Sequence, residues 1–165
     1  MTNAVQTDPQ GVMIQTPEWI QLGDNYHVPY KWGGFNTLDE FFSGLFENKF
    51  AGDRITDCYQ NYCVSNYCVG VDCSGFISRC WNLSTHYSTA MMDDDITLSH
   101  DSWEDLNPGD AIHKVGHVRM VVFKNNDGSI LTVEASGYDW RVSYRTYNLS
   151  QLTAYSPRYY QGMEG

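Results

Sequence analysis

The chain has 165 residues, of which 42% are hydrophobic and 18% are charged. These proportions are typical of one globular domain and exclude a disordered polypeptide. The formal net charge of −10 argues against nucleic acid as a partner, because acidic surfaces repel phosphate backbones. No apolar run reaches the roughly 18 residues that a membrane-spanning helix needs. We therefore expect a single domain over residues 1–165 without a membrane span.

The N-terminal segment, residues 1–15, is predicted to be a loose arm. It is mainly polar and contains no Lys or Arg, so it is not a secretion signal as it stands. A location outside the cytoplasm would then require that a signal was removed, that the domain comes from a longer protein, or that another route exports it.

Three segments precede the helix predicted to begin at Cys73. Gly33 and Gly34 mark a sharp turn or a close approach of two backbones. After them, apolar residues recur at helical spacing and predict an amphipathic helix; these are Leu38, Phe41, Phe42, Leu45 and Phe46. Residues 48–70, rich in Cys, Tyr, Asn and Asp, are expected to form an ordered loop.

A second helix is predicted from Cys73 to about Leu83, because apolar residues follow Cys73 at helical intervals. Asp72 and Ser74 are good capping residues for its start. A turn is predicted over 106–110, and the period then changes to that of strands. Strands are predicted over 111–115, 117–124, 130–135, 141–147 and 156–160, with a hairpin turn over 125–128. Helices followed by an antiparallel meander indicate α+β architecture.

The five cysteines are Cys58, Cys63, Cys68, Cys73 and Cys80. An odd number leaves at least one thiol free even in an oxidising compartment. Structural zinc sites use two separated pairs of ligands, and no second cluster follows here, so we expect no metal. One or two disulfides and free buried thiols both remain open.

Cys73 is the candidate nucleophile. Cysteine attacks as a thiolate, and a helix N-terminus favours negative charge through its free N–H groups and its dipole. Cys73 is the one cysteine at such a predicted position. Cys80 lies about two turns deeper in the same helix, where a thiol is an inert core group.

The general base must be sought among five histidines, and composition alone leaves the choice open. We favour His117, because it begins a strand directly after Gly116 and is thus presented at the mouth of a sheet. Glu134 lies on the neighbouring strand of the same hairpin, where cross-strand side chains meet within about 5 Å. Its carboxylate could orient the imidazole, although a solvated edge-strand Glu is an equal alternative.

Four segments, in this order, resemble the motifs of the NlpC cell-wall peptidase family of the papain-like cysteine peptidase clan. They are Tyr30-Lys31-Trp32-Gly33-Gly34, Val71-Asp72-Cys73-Ser74-Gly75-Phe76, Leu106-Asn107-Pro108-Gly109-Asp110 and Gly116-His117-Val118. The resemblance covers about residues 25–160. It implies a papain-like fold, in which N-terminal helices carry the catalytic Cys at a helix N-terminus packed on a five- to six-stranded antiparallel sheet.

The resemblance also implies residue roles. Cys73 is the nucleophile, His117 the base and the Cys73 N–H an oxyanion donor. Tyr30 matches a tyrosine near the active cysteine, while Asp72 and Ser74 match positions that help to bind the stem peptide. Trp32 and Trp140 lie beside these segments, where aromatic rings could stack on sugars.

Three features depart from the family pattern. The third polar residue is most often His in the family, whereas here it is Glu134. Residues 36–70 form an insertion, expected to border the cleft or to add core. Arg119 stands where a small residue is usual and is a candidate contact for a substrate carboxylate.

The expected function is hydrolysis of an amide bond in peptidoglycan stem peptides, without a cofactor and in a secreted or extracytoplasmic setting. The alternatives are a CHAP-like N-acetylmuramoyl-L-alanine amidase or endopeptidase, for which a Cys-His-Glu set is suited, and an acyltransferase or inactive binding module on the same scaffold.

Overall fold

The computed structural model describes residues 3–56 and 64–163. Its helices are α1 (Leu38–Phe46), α2 (Cys73–Cys80) and α3 (Thr89–Met91), with a π-helical turn over Met92–Ile96 and 3-10 turns over Trp103–Asp105 and Leu149–Gln151. Its strands are β1 (Gln6–Thr7), β2 (Met13–Ile14), β3 (Phe50–Ala51), β4 (Cys68–Val69), β5 (Thr97–Ser99), β6 (Ala111–Lys114), β7 (His117–Lys124), β8 (Ile130–Ser136), β9 (Arg141–Tyr147) and β10 (Ser156–Tyr160).

The main sheet is antiparallel and has six strands in the order β5-β10-β6-β7-β8-β9. This confirms the predicted α+β architecture with an antiparallel sheet. Strands β7, β9 and β10 have the predicted bounds, whereas β6 ends one residue earlier and β8 one residue later. Alternating side chains bounded by turn residues thus located the strands well, because half-buried strands carry a period of two.

The described residues form two compact units. The first contains residues up to 76 together with 135–142, and the second contains 77–134 together with the residues from 143 onward. The chain changes from one unit to the other within α2, β8 and β9. The single domain over 1–165 stays a prediction.

The N-terminal residues differ from the loose arm predicted for residues 1–15. Strands β1 and β2 pair as an antiparallel hairpin. In the turn between them, the Asp8 carboxylate accepts hydrogen bonds from the backbone N–H groups of Gln10 and Val12. Val12 and Ile14 are buried against Cys68. Burial of these apolar side chains against a strand far along the chain orders a segment whose local sequence is mostly polar.

Helix α1 covers the apolar residues that predicted it, from Leu38 to Phe46, and begins with a capping box between Thr37 and Glu40, which satisfies otherwise unpaired N–H groups. The described residues cover its apolar face only in part: Phe41 and Leu45 are partly buried, but Phe42 and Phe46 are 55% and 88% exposed. The predicted insertion, residues 36–70, adds α1 and the parallel pair β3–β4 to the first unit. Residues 57–63 of this insertion, with Cys58 and Cys63, lie outside the described residues.

Helix α2 begins at Cys73 as predicted but ends at Cys80 instead of near Leu83. Asn82 has a φ of 56°, and the N–H of Leu83 bonds to the carbonyl of Ser78. This pattern is a C-terminal cap with a left-handed residue, which stops the helix. No helix among the described residues is long and apolar enough to cross a membrane.

Each unit has its own core. In the first unit Tyr30, Val71 and Ala135 are buried with Trp32, Phe76 and Trp140 around them. In the second unit the core consists of Leu106, Ile112, Val121, Ile130 and Leu152.

Candidate functional site

Cys73, the predicted nucleophile, is the first residue of α2, and Asp72 caps this helix. The Oδ1 atom of Asp72 accepts the N–H of Gly75 at 2.6 Å and the hydroxyl of Ser74 at 3.1 Å, while its carbonyl accepts the N–H of Phe76. An N-cap carboxylate satisfies the first turn in this way. Cys73 therefore stands among the N-terminal N–H groups of a helix, where the dipole favours a thiolate.

The first two motifs lie against each other in the first unit. The N–H of Asp72 donates to the carbonyl of Gly34 at 3.0 Å, and the N–H of Lys31 donates to the carbonyl of Val71 at 2.9 Å. A Cβ at Gly75 would stand only 1.9 Å from the Gly34 oxygen. The glycines at 34 and 75 are thus required because two backbones approach closely.

The side chain of Tyr30 is 6% exposed and lies near Cys73. Burial, followed by the charges of Asp72, Cys73 and Asp53, raises the pKa of the Tyr30 phenol far above its ordinary value. The phenol is therefore protonated at neutral pH. Its ring packs edge-on against Trp140, with 5.3 Å between ring centroids.

Of the predicted substrate-binding residues, Tyr30, Asp72 and Ser74 are buried, and Trp32 packs partly buried in the same core. Asp72 and Ser74 bond to each other within the helix cap. The roles of these four residues toward a substrate stay predictions.

His117 and Glu134, the predicted base and orienting carboxylate, are neighbours in the second unit. The Nε2 atom of His117 lies 3.7 Å from Oε1 of Glu134. This distance is longer than a hydrogen bond but within the range of an ion pair when the imidazole is protonated. The Glu134 side chain is 2% exposed and that of His117 is 18% exposed. Because Nε2 faces Glu134, Nδ1 is the ring nitrogen that can contact another partner.

A β-bulge determines this pairing. Lys124 lies opposite Ile130, whereas Met120 lies opposite Val133, and the register shifts by one residue between Val121 and Phe123. Continuing from Met120, Arg119 is opposite Glu134, and His117 is two residues further along the same face. The bulge thus places Glu134 on the face of β7 that carries His117.

Two side chains donate hydrogen bonds to Glu134, and the guanidinium of Arg145 lies close to it. It accepts from Nε of Arg119 at 2.5 Å and from the hydroxyl of Tyr147 at 3.0 Å, and Nε of Arg145 lies 3.6 Å away. Burial raises the pKa of Glu134, but the contacts with His117 and Arg119 outweigh it and hold the pKa below its ordinary value. The carboxylate is therefore ionised at neutral pH.

Burial, together with the charge of Glu134, raises the pKa of Tyr147 to about 12, so this phenol remains a donor. Sequence reasoning missed Tyr147 and Arg145. Their spacing of two on β9 places both on one face of that strand. The sequence of β9 does not show which residues of the neighbouring strand they contact.

Arg119 has an internal role in the structure. Its side chain is 7% exposed and lies between the rings of Tyr147 and Tyr155, at 4.2 and 4.3 Å from the ring centroids. It also donates to the Tyr155 hydroxyl at 3.1 Å. The role predicted for Arg119, contact with a substrate carboxylate, stays a prediction.

Two other histidines have contacts within the fold. His113 is 3% exposed, and its Nε2 lies 2.7 Å from the carbonyl of Thr89; burial lowers its pKa. His100 lies 2.8 Å from Asp110, the last residue of the Pro-Gly-Asp motif. These contacts give both histidines a structural role.

Cys68 and Cys80 carry free thiols; Cys68 is buried, whereas Cys80 is exposed and does not lie in the core as predicted. Burial raises the pKa of Cys68 to about 12, which makes it unreactive at neutral pH. No group of three or more metal-ligating side chains occurs in the part of the chain that the structure describes.

No family model, no curated protein and no solved structure matches this chain significantly. Its function is therefore inferred from the motifs and from side-chain chemistry.

Proposed function

We propose that this protein is a papain-like cysteine hydrolase of the NlpC cell-wall peptidase type, which cleaves an amide bond in peptidoglycan stem peptides. The observation that carries the proposal is the contact between His117 and the buried, ionised Glu134. It supplies two members of a Cys-His-carboxylate set. The third member, Cys73, is supported by its place at the capped N-terminus of α2.

The chemistry follows from the roles of these groups. Glu134 faces Nε2 of His117, so Nε2 carries the proton in the neutral ring and Nδ1 is the base. Nδ1 takes the Cys73 proton, and the thiolate attacks the amide carbonyl carbon. The oxyanion of the tetrahedral intermediate would accept the Cys73 N–H.

Collapse of this intermediate breaks the C–N bond, and the Nδ1 proton passes to the leaving amine. Water, deprotonated by His117, then attacks the thioester and releases the acid and the Cys73 thiol. No cofactor takes part in this sequence. Its setting would be extracytoplasmic, with peptidoglycan as the partner.

A second candidate is a CHAP-like amidase or endopeptidase. The feature in its favour is Glu134, because that family uses Cys, His and Glu in the same order. An acyltransferase or an inactive binding module on the same scaffold is a further alternative. Cleavage products distinguish these candidates: a free lactyl group on the sugar marks an amidase, and a cut inside the stem peptide marks a peptidase.

The test is digestion of purified peptidoglycan, followed by mass spectrometry of the released fragments. We expect stem-peptide fragments from the wild-type protein and none from Cys73→Ala. Cys80→Ala is the matched control, because it removes an exposed free thiol from the same helix and is expected to keep full activity. Fragment release by Cys73→Ala, or no release by the wild-type protein, would refute the proposal.

A further inference from the structure

A concave surface lies in the first unit, beside α1. Its volume is about 540 Å³, it is partly open to solvent, and its lining is mainly apolar. Its walls are formed by α1 and by residues 19–29, and its apolar lining includes Trp19, Pro29, Phe41, Phe42, Leu45 and Phe46. We call this surface the α1 groove. Cys73 and its capping residues are not part of the lining, so the groove is distinct from the proposed catalytic site.

Large apolar side chains extend the α1 groove outward. Phe42 and Phe46, two lining residues on α1, are 55% and 88% exposed. Single exposed apolar residues are ordinary, but a contiguous patch around a cavity marks a binding surface. The combination of a half-open pocket with exposed phenylalanine side chains at its edge suits one bulky side chain inserted from a longer segment.

The charges around the α1 groove are acidic. Asp24 and His27 are the ionisable lining residues, and no Lys or Arg belongs to the lining. Asp39 lies one turn before Phe42 on α1, and Glu47 follows Phe46. The neighbouring Lys49 pairs with Glu47 at 3.3 Å. Arg141, whose guanidinium lies 5.8 Å from the Trp19 ring centroid, pairs with Asp139 at 3.1 Å. Asp24 and Asp39 therefore leave the margin with a negative balance.

This charge selects among possible occupants. A second copy of the chain carries a net charge of −10 and is repelled, as is an anionic lipid surface. A cationic segment is attracted. We infer that the α1 groove binds a peptide segment in which one bulky apolar side chain is flanked by Lys or Arg. This inference does not depend on the proposed catalytic function.

The experiment begins with a phage-displayed library of random twelve-residue peptides, selected against the full chain in 150 mM salt. The Phe42→Ser/Phe46→Ser protein serves for counter-selection. We expect enriched peptides with one large apolar residue between basic residues. The most enriched peptide is then synthesised with a fluorescent label, and its Kd is measured by anisotropy.

Four variants test the assignment. Phe46→Ser and Phe42→Ser should each raise the Kd at least tenfold. Asp24→Lys, which leaves the apolar lining intact, should raise it severalfold in 50 mM salt and less in 500 mM salt, because exposed charges are screened. Tyr144→Ser is the matched control, because Tyr144 is 70% exposed on β9 and lies outside the lining. The Kd of this variant for the peptide should equal that of the wild-type protein.

Three outcomes would overturn the inference. One is the absence of peptides that prefer the wild-type protein over the double variant. Another is an enriched peptide whose affinity is unaffected by Phe46→Ser and Asp24→Lys. The third is a Phe46-dependent dimer in sedimentation, or Phe46-dependent binding to anionic vesicles, without peptide binding.

Discussion

Arg119 and Glu134 face each other across strands β7 and β8, with 2.5 Å between Nε and Oε2. Both side chains are buried, and the same carboxylate also meets His117, Arg145 and Tyr147. The position of the carboxylate beside His117 is therefore set by groups that need not touch a substrate. In the proposed mechanism Arg119 and Tyr147 are positioning residues.

Removal of Arg119 should destabilise the fold. Arg119→Met keeps most of the side-chain volume but leaves a buried carboxylate with fewer partners, and breaking a buried ion pair costs about 3–5 kcal/mol. Because Arg145 remains near, we expect the lower end of that range in urea unfolding. Arg141→Met is the control, since Arg141 pairs with Asp139 at 3.1 Å while about a third exposed, and an exposed pair contributes less than about 1 kcal/mol. Equal losses for the two variants would contradict this role.

The stability contributed by Glu134 should depend on pH. Its pKa in the folded protein is held below the ordinary value of 4.5 by His117 and Arg119, against the opposing effect of burial. A depressed carboxyl pKa stabilises the fold above the unfolded pKa, and this contribution is lost as pH falls through the folded pKa.

The free energy of unfolding should therefore differ between wild type and Glu134→Gln at pH 7. The difference should decline below pH 4.5, as protonation makes the two side chains alike. Urea unfolding at several pH values between 7 and 3 measures it. A difference that stays constant over this range would show that Glu134 is not stabilised by charge.

Replacement of His117 should slow the reaction of Cys73 with iodoacetamide. If His117 takes the thiol proton, His117→Ala should lower the rate at neutral pH on the order of 100-fold, and the loss should shrink at alkaline pH, where thiols ionise without a base. Mass spectrometry of the Cys73 peptide separates this thiol from the other cysteines. His86→Ala, a change at a loop histidine, should leave the rate unchanged. If His117→Ala also left the rate unchanged, His117 would not be the base that deprotonates Cys73.

Addition of a methyl group at Gly75 should destabilise the first unit. The Cβ of Gly75→Ala would stand 1.9 Å from the Gly34 oxygen, and relief of this clash requires a backbone shift, at about 3 kcal/mol or more. Gly116→Ala is the comparison, because its φ of 100° is unfavourable but no atom lies within 4 Å. That variant should lose less, about 1–2 kcal/mol, in the same urea unfolding measurement.

The sequence by itself located the elements that carry the candidate site. The alternation of β7 and β9 predicted their bounds, the apolar spacing predicted α1, and Cys73 was correctly placed at the start of a helix. These features are local, because a period of two or 3.6 residues follows from the geometry of one strand or one helix. The N-terminal hairpin was missed because its apolar partner, Cys68, is far away in the sequence.

Only the tertiary structure decided which side of the sheet Glu134 faces. Without the bulge between Val121 and Phe123, the register at the hairpin end of β7 would continue and place Glu134 opposite Met120, on the face away from His117. A shift of one residue moves a side chain to the other face of a sheet. Alternation along one strand contains no information on register, which is determined by packing between strands.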